Sequence, residues 1–131
     1  MNIVILGSSG LIGKHLKYYF KTRHPEFSIE LPNKRIFHQK KYFADLVRSS
    51  DVIFLLSWRN RGNDEQIIDE NKFITDSVCN ALIEVGPEFA SKIVFTSSIH
   101  EEQSSVYGQS KSYAVKKFNV LNEKGFKIII E

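Results

Sequence analysis

The run Ile3-Val4-Ile5-Leu6 leads directly into Gly7-Ser8-Ser9-Gly10-Leu11-Ile12-Gly13. A buried strand, a tight turn and an immediate helix constrain this chain more than any other segment. Consecutive apolar residues predict a strand covered on both faces. Glycine at position 7 permits the turn, and glycine at 13 permits close packing of helix on strand. The following helix places Ile12, Leu16, Tyr19 and Phe20 on one face, and His24-Pro25 ends it.

The remaining chain repeats this alternation. Phe27 to Leu31 reads as a second strand, closed by Pro32-Asn33. Arg35-Ile36-Phe37 reads as a short third strand. Tyr42, Phe43, Leu46 and Val47 suit a short amphipathic helix, with Tyr42 and Phe43 in the core. Asp51 to Ser57 reads as a buried strand. Ile67, Asn71, Ile74, Val78 and Leu82 mark one face of a long helix, stopped by Gly86-Pro87. Lys92 to Thr96 is a strand and Ser97 to Ser105 a polar loop. Tyr107 to about Asn122 is helical on Ala114, Phe118 and Leu121, and Phe126 to Ile130 is the last strand. Alternating strands and helices predict an α/β, doubly wound parallel sheet of order 3-2-1-4-5-6, a single domain over residues 1–131.

Composition narrows the function classes. A net charge of +3 without a basic stripe gives no footprint for nucleic acid. No apolar stretch approaches the roughly 20 residues that span a bilayer, and no signal-peptide core follows Met1. Cys79 is the only cysteine, so no internal disulfide forms. These features make cytoplasmic the default location. The four histidines have no metal-ligand spacing with one another or with Cys79, so no metal site is expected. The adjacent carboxylates Asp69-Glu70 and Glu101-Glu102 read as solvated faces.

The glycine segment has a chemical reading. Backbone N–H groups at the start of a helix, together with its dipole, suit a pyrophosphate. Gly10 would let a phosphate approach, and the whole segment Gly7, Ser8, Ser9, Gly10, Leu11, Ile12 and Gly13 becomes a candidate dinucleotide-binding turn. The acidic residue that usually meets the adenosine ribose falls roughly 20 residues later. Here that place reads Leu31-Pro32-Asn33-Lys34-Arg35. Asn33, Lys34 and Arg35 in place of a carboxylate favour a 2′-phosphate, hence NADP over NAD.

Tyr107 and Lys111 lie four apart and share a helix face. A phenol titrates near 10, and a neighbouring ammonium favours the phenolate. The pair can therefore pass a proton to or from a carbonyl or alcohol oxygen. A serine hydroxyl at the end of the preceding strand, Thr96-Ser97-Ser98, can hold that oxygen.

Taken in order, these segments resemble the short-chain dehydrogenase/reductases, and more narrowly their extended branch of nucleotide-sugar epimerases, dehydratases and reductases. Gly7, Gly10 and Gly13 match G-x-x-G-x-x-G. Asp51 to Ser57 is similar to the D-V-V-I-H-L-A strand, Glu70-Asn71 to E-N-V, Phe95 to Ser98 to F-x-S-S, and Tyr107 to Lys111 to Y-G-x-S-K. The resemblance implies that Ser98, Tyr107 and Lys111 are catalytic and that Asn71 holds a water relaying protons to Lys111. It implies that Leu56, Ser57 and Lys111 contact the cofactor, that the substrate is a nucleotide-linked sugar, and that the long helices pair in a homodimer. The short loop before Tyr107 looks like that of ketosugar reductases of surface-polysaccharide synthesis. Ile99-His100, where dehydratases carry Asp-Glu, argues against dehydration. Trp58-Arg59-Asn60-Arg61 stands where small residues are common, as a substrate-side loop or a solvated turn. The C-terminal substrate domain of the branch is absent. A truncated product, a compact reductase borrowing a substrate wall, and a non-catalytic NADP-binding scaffold all remain open at this point.

Overall fold

The strands form where apolar runs predict them, and all of them are parallel. In the computed structural model, which describes residues 1–59, 61–96 and 106–131, β1 (Asn2–Leu6) pairs with β2 (Ser28–Glu30) and β3 (Val52–Leu55). β4 (Lys92–Phe95) and β5 (Ile128–Ile130) extend the sheet to the order β2-β1-β3-β4-β5. Connecting parallel neighbours requires crossovers, which α1 (Leu11–Arg23), α2 (Lys40–Ser49), α3 (Asp64–Val85) and α4 (Val106–Glu123) supply.

The expected third strand is a 3-10 helix, Lys34–His38, so the sheet has five strands and β2 is its edge. Two features decide this. Asn33 caps the segment, its side chain accepting from Arg35 N at 2.9 Å. Ile36 and Phe37 are neighbours and both buried, whereas a strand alternates faces. The remaining order is the expected one with that strand removed.

The two sheet faces are covered unequally. Val4, Leu6, Ile53, Leu55, Ile93 and Phe95 point into a large core closed by α2, α3 and α4. Ile3 and Ile5 point the other way, onto Phe20 of α1. α1 turns differently from the periodicity reading. Gly13 and Phe20 are its buried residues, while Ile12 and Tyr19 are exposed. Gly13 packs against the backbone of Gly7 and Ser8, where only a residue without a side chain fits. Tyr42 is likewise exposed, and Phe43, Ala44, Leu46 and Val47 make the α2 contact with the core. Cys79 lies in the core, where burial pushes its thiol up to about 11.

No helix among the described residues is long and apolar enough to cross a membrane. Among the same residues, no group of three or more His, Cys, Asp or Glu is placed to hold a metal.

Candidate active site: a glycine turn, a cleft and a caged lysine

The three glycines differ in what forbids a side chain. At Gly7, φ is +95°, and a Cβ would stand 2.7 Å from the backbone of Leu56 and Ser57. At Gly13, a Cβ would run into Gly7 O and stand 2.7 Å from Ser8 Cα. Both therefore serve the protein's own packing. Gly10 has an ordinary extended backbone, and a Cβ there would meet only Gly7 O, at 3.6 Å. Nothing in the chain requires glycine at 10. It is the N-cap of α1, with no side chain capping the helix and no acidic residue in the first turn. This bare helix start, at the positive end of the helix dipole, is what an anion would occupy.

The turn opens into a cleft of about 470 Å³ bounded by Gly7–Gly10, Leu31–Lys34 and Leu56–Trp58. Seven expected cofactor residues meet there: Gly7, Ser8, Ser9, Gly10, Asn33, Leu56 and Ser57. Gly13 lies behind them as the packing residue. Leu11 and Ile12 are exposed on the first turn of α1 and do not line the cleft, and neither does Arg35. A larger groove of about 910 Å³ lies on the outer side of Leu31–Asn33, towards Lys41 and Tyr42 of α2, but it lacks the glycine turn.

Trp58 joins this cleft to the expected proton-transfer pair, Tyr107 and Lys111. Its ring packs edge-on against Phe95 at 5.5 Å between centroids. The Lys111 ammonium sits 5.2 Å from the Trp58 ring, 4.6 Å from Phe95 and 5.6 Å from Tyr107. It also donates to the Thr96 carbonyl. Lys111 is 6% exposed, and π faces and the Thr96 carbonyl are among the groups around its charge. Trp58 is the chain's single tryptophan, and its Nε1 has no hydrogen-bond partner among the described residues. Ser98, the expected third catalytic group, lies outside the described residues.

Asn71 is fully buried and engaged twice. Its Oδ1 accepts from Arg59 N and its Nδ2 donates to Arg59 O, each at 2.8 Å. Its own carbonyl accepts from Thr75 Oγ1. The Trp58-Arg59 segment is thus anchored to α3 through one carboxamide. Asn71→Ala should leave both Arg59 backbone groups unpaired and cost about 1–3 kcal/mol, read as a lower urea midpoint. An unchanged midpoint would show that the clamp is not what holds the loop.

The sequence contains a second pair with the same spacing, Tyr113 and Lys117. Here Tyr113 Oη donates to Asp76 at 2.9 Å and Lys117 pairs with the same carboxylate at 2.8 Å. The hydrogen bond to Asp76 raises the Lys117 pKa above its ordinary value. This pair clamps α4 to α3 and stands apart from the cleft, which shows that spacing alone does not make a proton-transfer site.

Glu70 was the residue that sequence reasoning missed. It is no solvated carboxylate: Oε2 meets Arg59 Nη1 at 2.8 Å and Oε1 meets Lys34 Nζ at 3.3 Å. The Arg59 hydrogen bond, reinforced by Lys34, holds the Glu70 carboxyl below the usual value. Nothing in the local sequence signals this, because the two partners are distant in the chain.

No protein-family model matches the chain. A UDP-2-acetamido-2,6-beta-L-arabino-hexul-4-ose reductase from Pseudomonas aeruginosa is 30% identical over 124 residues, covering 94% of this chain and 32% of the relative. A short-chain dehydrogenase/reductase superfamily protein from Agrobacterium tumefaciens, solved with bound NAD, superposes with a TM-score of 0.76 at 13% identity, covering 99% of this chain and 48% of that one. The chain has the fold of this solved protein over nearly its whole length. It spans about a third of the length of the curated relative and about half of that solved structure. The capsular polysaccharide assembling protein CapF from Staphylococcus aureus has the same fold over 99% of this chain and 34% of its own, with a TM-score of 0.69 at 23% identity. Other solved neighbours are named as a dehydrogenase, an epimerase and a reductase.

Proposed function

We propose that this domain binds a nicotinamide dinucleotide, NADP(H) in preference to NAD(H), and serves reduction of a nucleotide-linked ketosugar. The observation that carries the reading is Gly10. It is a glycine that the protein's own packing does not require, at an uncapped helix start that faces a cleft. A cradle that a side chain would fill fits a pyrophosphate. Ser8, Ser9 and the first backbone N–H groups of α1 would hold it, with Asn33 and Lys34 at the adenosine end and Leu56 and Ser57 along the ribose side.

When bound, the nicotinamide supplies the hydride. The chain's own residues then manage the proton. The Tyr107 hydroxyl gives its proton to the carbonyl oxygen of the substrate, so that C=O becomes CH–OH. Lys111, caged beside the Tyr107 ring, favours the phenolate left behind. Ser98 orients the reacting oxygen, and Asn71 fixes the segment that carries Trp58. The substrate class follows the name of the Pseudomonas relative, and a surface-polysaccharide role follows that of CapF. Pairing of two copies through α3 and α4 in the cytoplasm completes the proposal; Phe73, Ile83 and Val120 are apolar and exposed on these helices.

Fluorescence titration with NADPH and NADH tests it. Saturable binding at sub-millimolar concentration, tighter for NADPH, is expected. Absence of binding by either cofactor at millimolar levels would contradict the reading, and binding without turnover of any ketosugar would leave a cofactor-binding scaffold in its place.

A further inference from the structure

Among the described residues, Lys34 is the only charged side chain that lines the cleft, and no carboxylate lines it. Its ammonium is shared. It leaves the segment after β2 and meets Glu70 of α3 at 3.3 Å, while Arg59, from the segment after β3, meets the other oxygen of the same carboxylate at 2.8 Å. Three separate elements converge behind the rim of the adenosine end. Lys34 is 60% exposed and free to reach a ligand, whereas Glu70 is 28% exposed and held from two sides. Arg59 is further fixed, its Nε donating to the Arg61 carbonyl at 2.7 Å.

We infer that Glu70 sets the cofactor selectivity of this cleft, restraining its affinity for a 2′-phosphate without touching the ligand. The inference rests on the nicotinamide-dinucleotide reading above. A 2′-phosphate binding Lys34 would place a dianion across one ammonium group from the Glu70 carboxylate. Like charges at that separation repel even through water-rich surroundings. Glu70 also competes directly for the Lys34 donors. NAD(H) has only a hydroxyl at this place, so the same carboxylate leaves it unaffected. The residue therefore sits between the two cofactors in effect: the absent ribose-binding carboxylate favours NADP, and Glu70 limits how far.

Dissociation constants for NADPH and NADH, measured with the intact chain and with Glu70→Gln, test this. Glutamine keeps the shape and a hydrogen-bonding oxygen for Arg59 but removes the charge. NADPH should bind about three- to tenfold more tightly to Glu70→Gln, with NADH unchanged, and the gain should shrink as salt screens the charges. In a Glu70→Gln/Lys34→Met double variant the gain should vanish, because the cation it acts through is gone. Unchanged NADPH affinity in Glu70→Gln, or equal shifts for both cofactors, would overturn the inference while leaving the cofactor site standing. Failure of the unaltered chain to bind either cofactor would overturn both together.

Discussion

Gly13→Ala is expected to destabilise the fold by about 2–3 kcal/mol or more, while Gly10→Val leaves it nearly intact and removes cofactor binding. The two residues stand three apart in one turn, so the contrast isolates packing from ligand approach. At position 13, helix propensity argues the other way, since alanine in a helix interior gains about 1 kcal/mol over glycine. Packing wins because the new Cβ meets only backbone: Gly7 O, and Ser8 Cα at 2.7 Å. Backbone in a turn whose own φ is +95° cannot give way without displacing Leu56 and Ser57. At position 10, the extended backbone admits any residue, and the loss of a glycine cap costs about 0.5–1 kcal/mol at most. The isopropyl group then fills the space before the helix start. Thermal unfolding and NADPH titration of both variants check this. NADPH affinity is expected to fall by at least about tenfold in Gly10→Val. A Gly10→Val protein that binds NADPH normally would show that no phosphate approaches there.

Tyr107→Phe should lower turnover of a UDP-linked 4-ketosugar by about 10²–10⁴-fold and leave NADPH affinity within about twofold. The phenol oxygen is the only atom removed. The ring remains beside the Lys111 ammonium, which Phe95, Trp58 and the Thr96 carbonyl also surround. Proton transfer is lost and the cleft is not. NADPH oxidation followed alongside binding separates the two. Retained turnover would remove Tyr107 from the chemistry, and Tyr113 cannot replace it, because its hydroxyl is committed to Asp76.

Much of this was legible from residue order. The strand, glycine turn and helix at the N-terminus, and the helix carrying Tyr107 and Lys111, follow from local pattern alone. Three features were not. The face of α1 escaped periodicity counting because the residue that packs closest, Gly13, has no apolar side chain to count. Arg35-Ile36-Phe37 looked like a strand because Ile36 and Phe37 are apolar, yet adjacent burial of both suits the 3-10 turn Lys34–His38 under α2 and α3, where Phe37 packs on Phe43. Glu70 looked solvated because its partners Arg59 and Lys34 lie 11 and 36 residues away, a convergence that only the crossovers of the fold create. The role of Trp58 as the wall between cleft and lysine belongs to the same class. Its neighbour Phe95 comes from the next strand, and Lys111 from the helix after that.

The central claim is that the cleft between the glycine turn and Trp58 is a nicotinamide-dinucleotide site. Amide and indole chemical shifts of the ¹⁵N-labelled chain, recorded during addition of NADPH, test it most directly. Progressive, saturating shifts are predicted for the amides of Ser8 to Gly13, for Asn33 and Lys34, and for the single Trp58 indole. Shifts confined to other surfaces, such as the α2 groove around Tyr42, or a spectrum unchanged at millimolar NADPH and NADH, would contradict it.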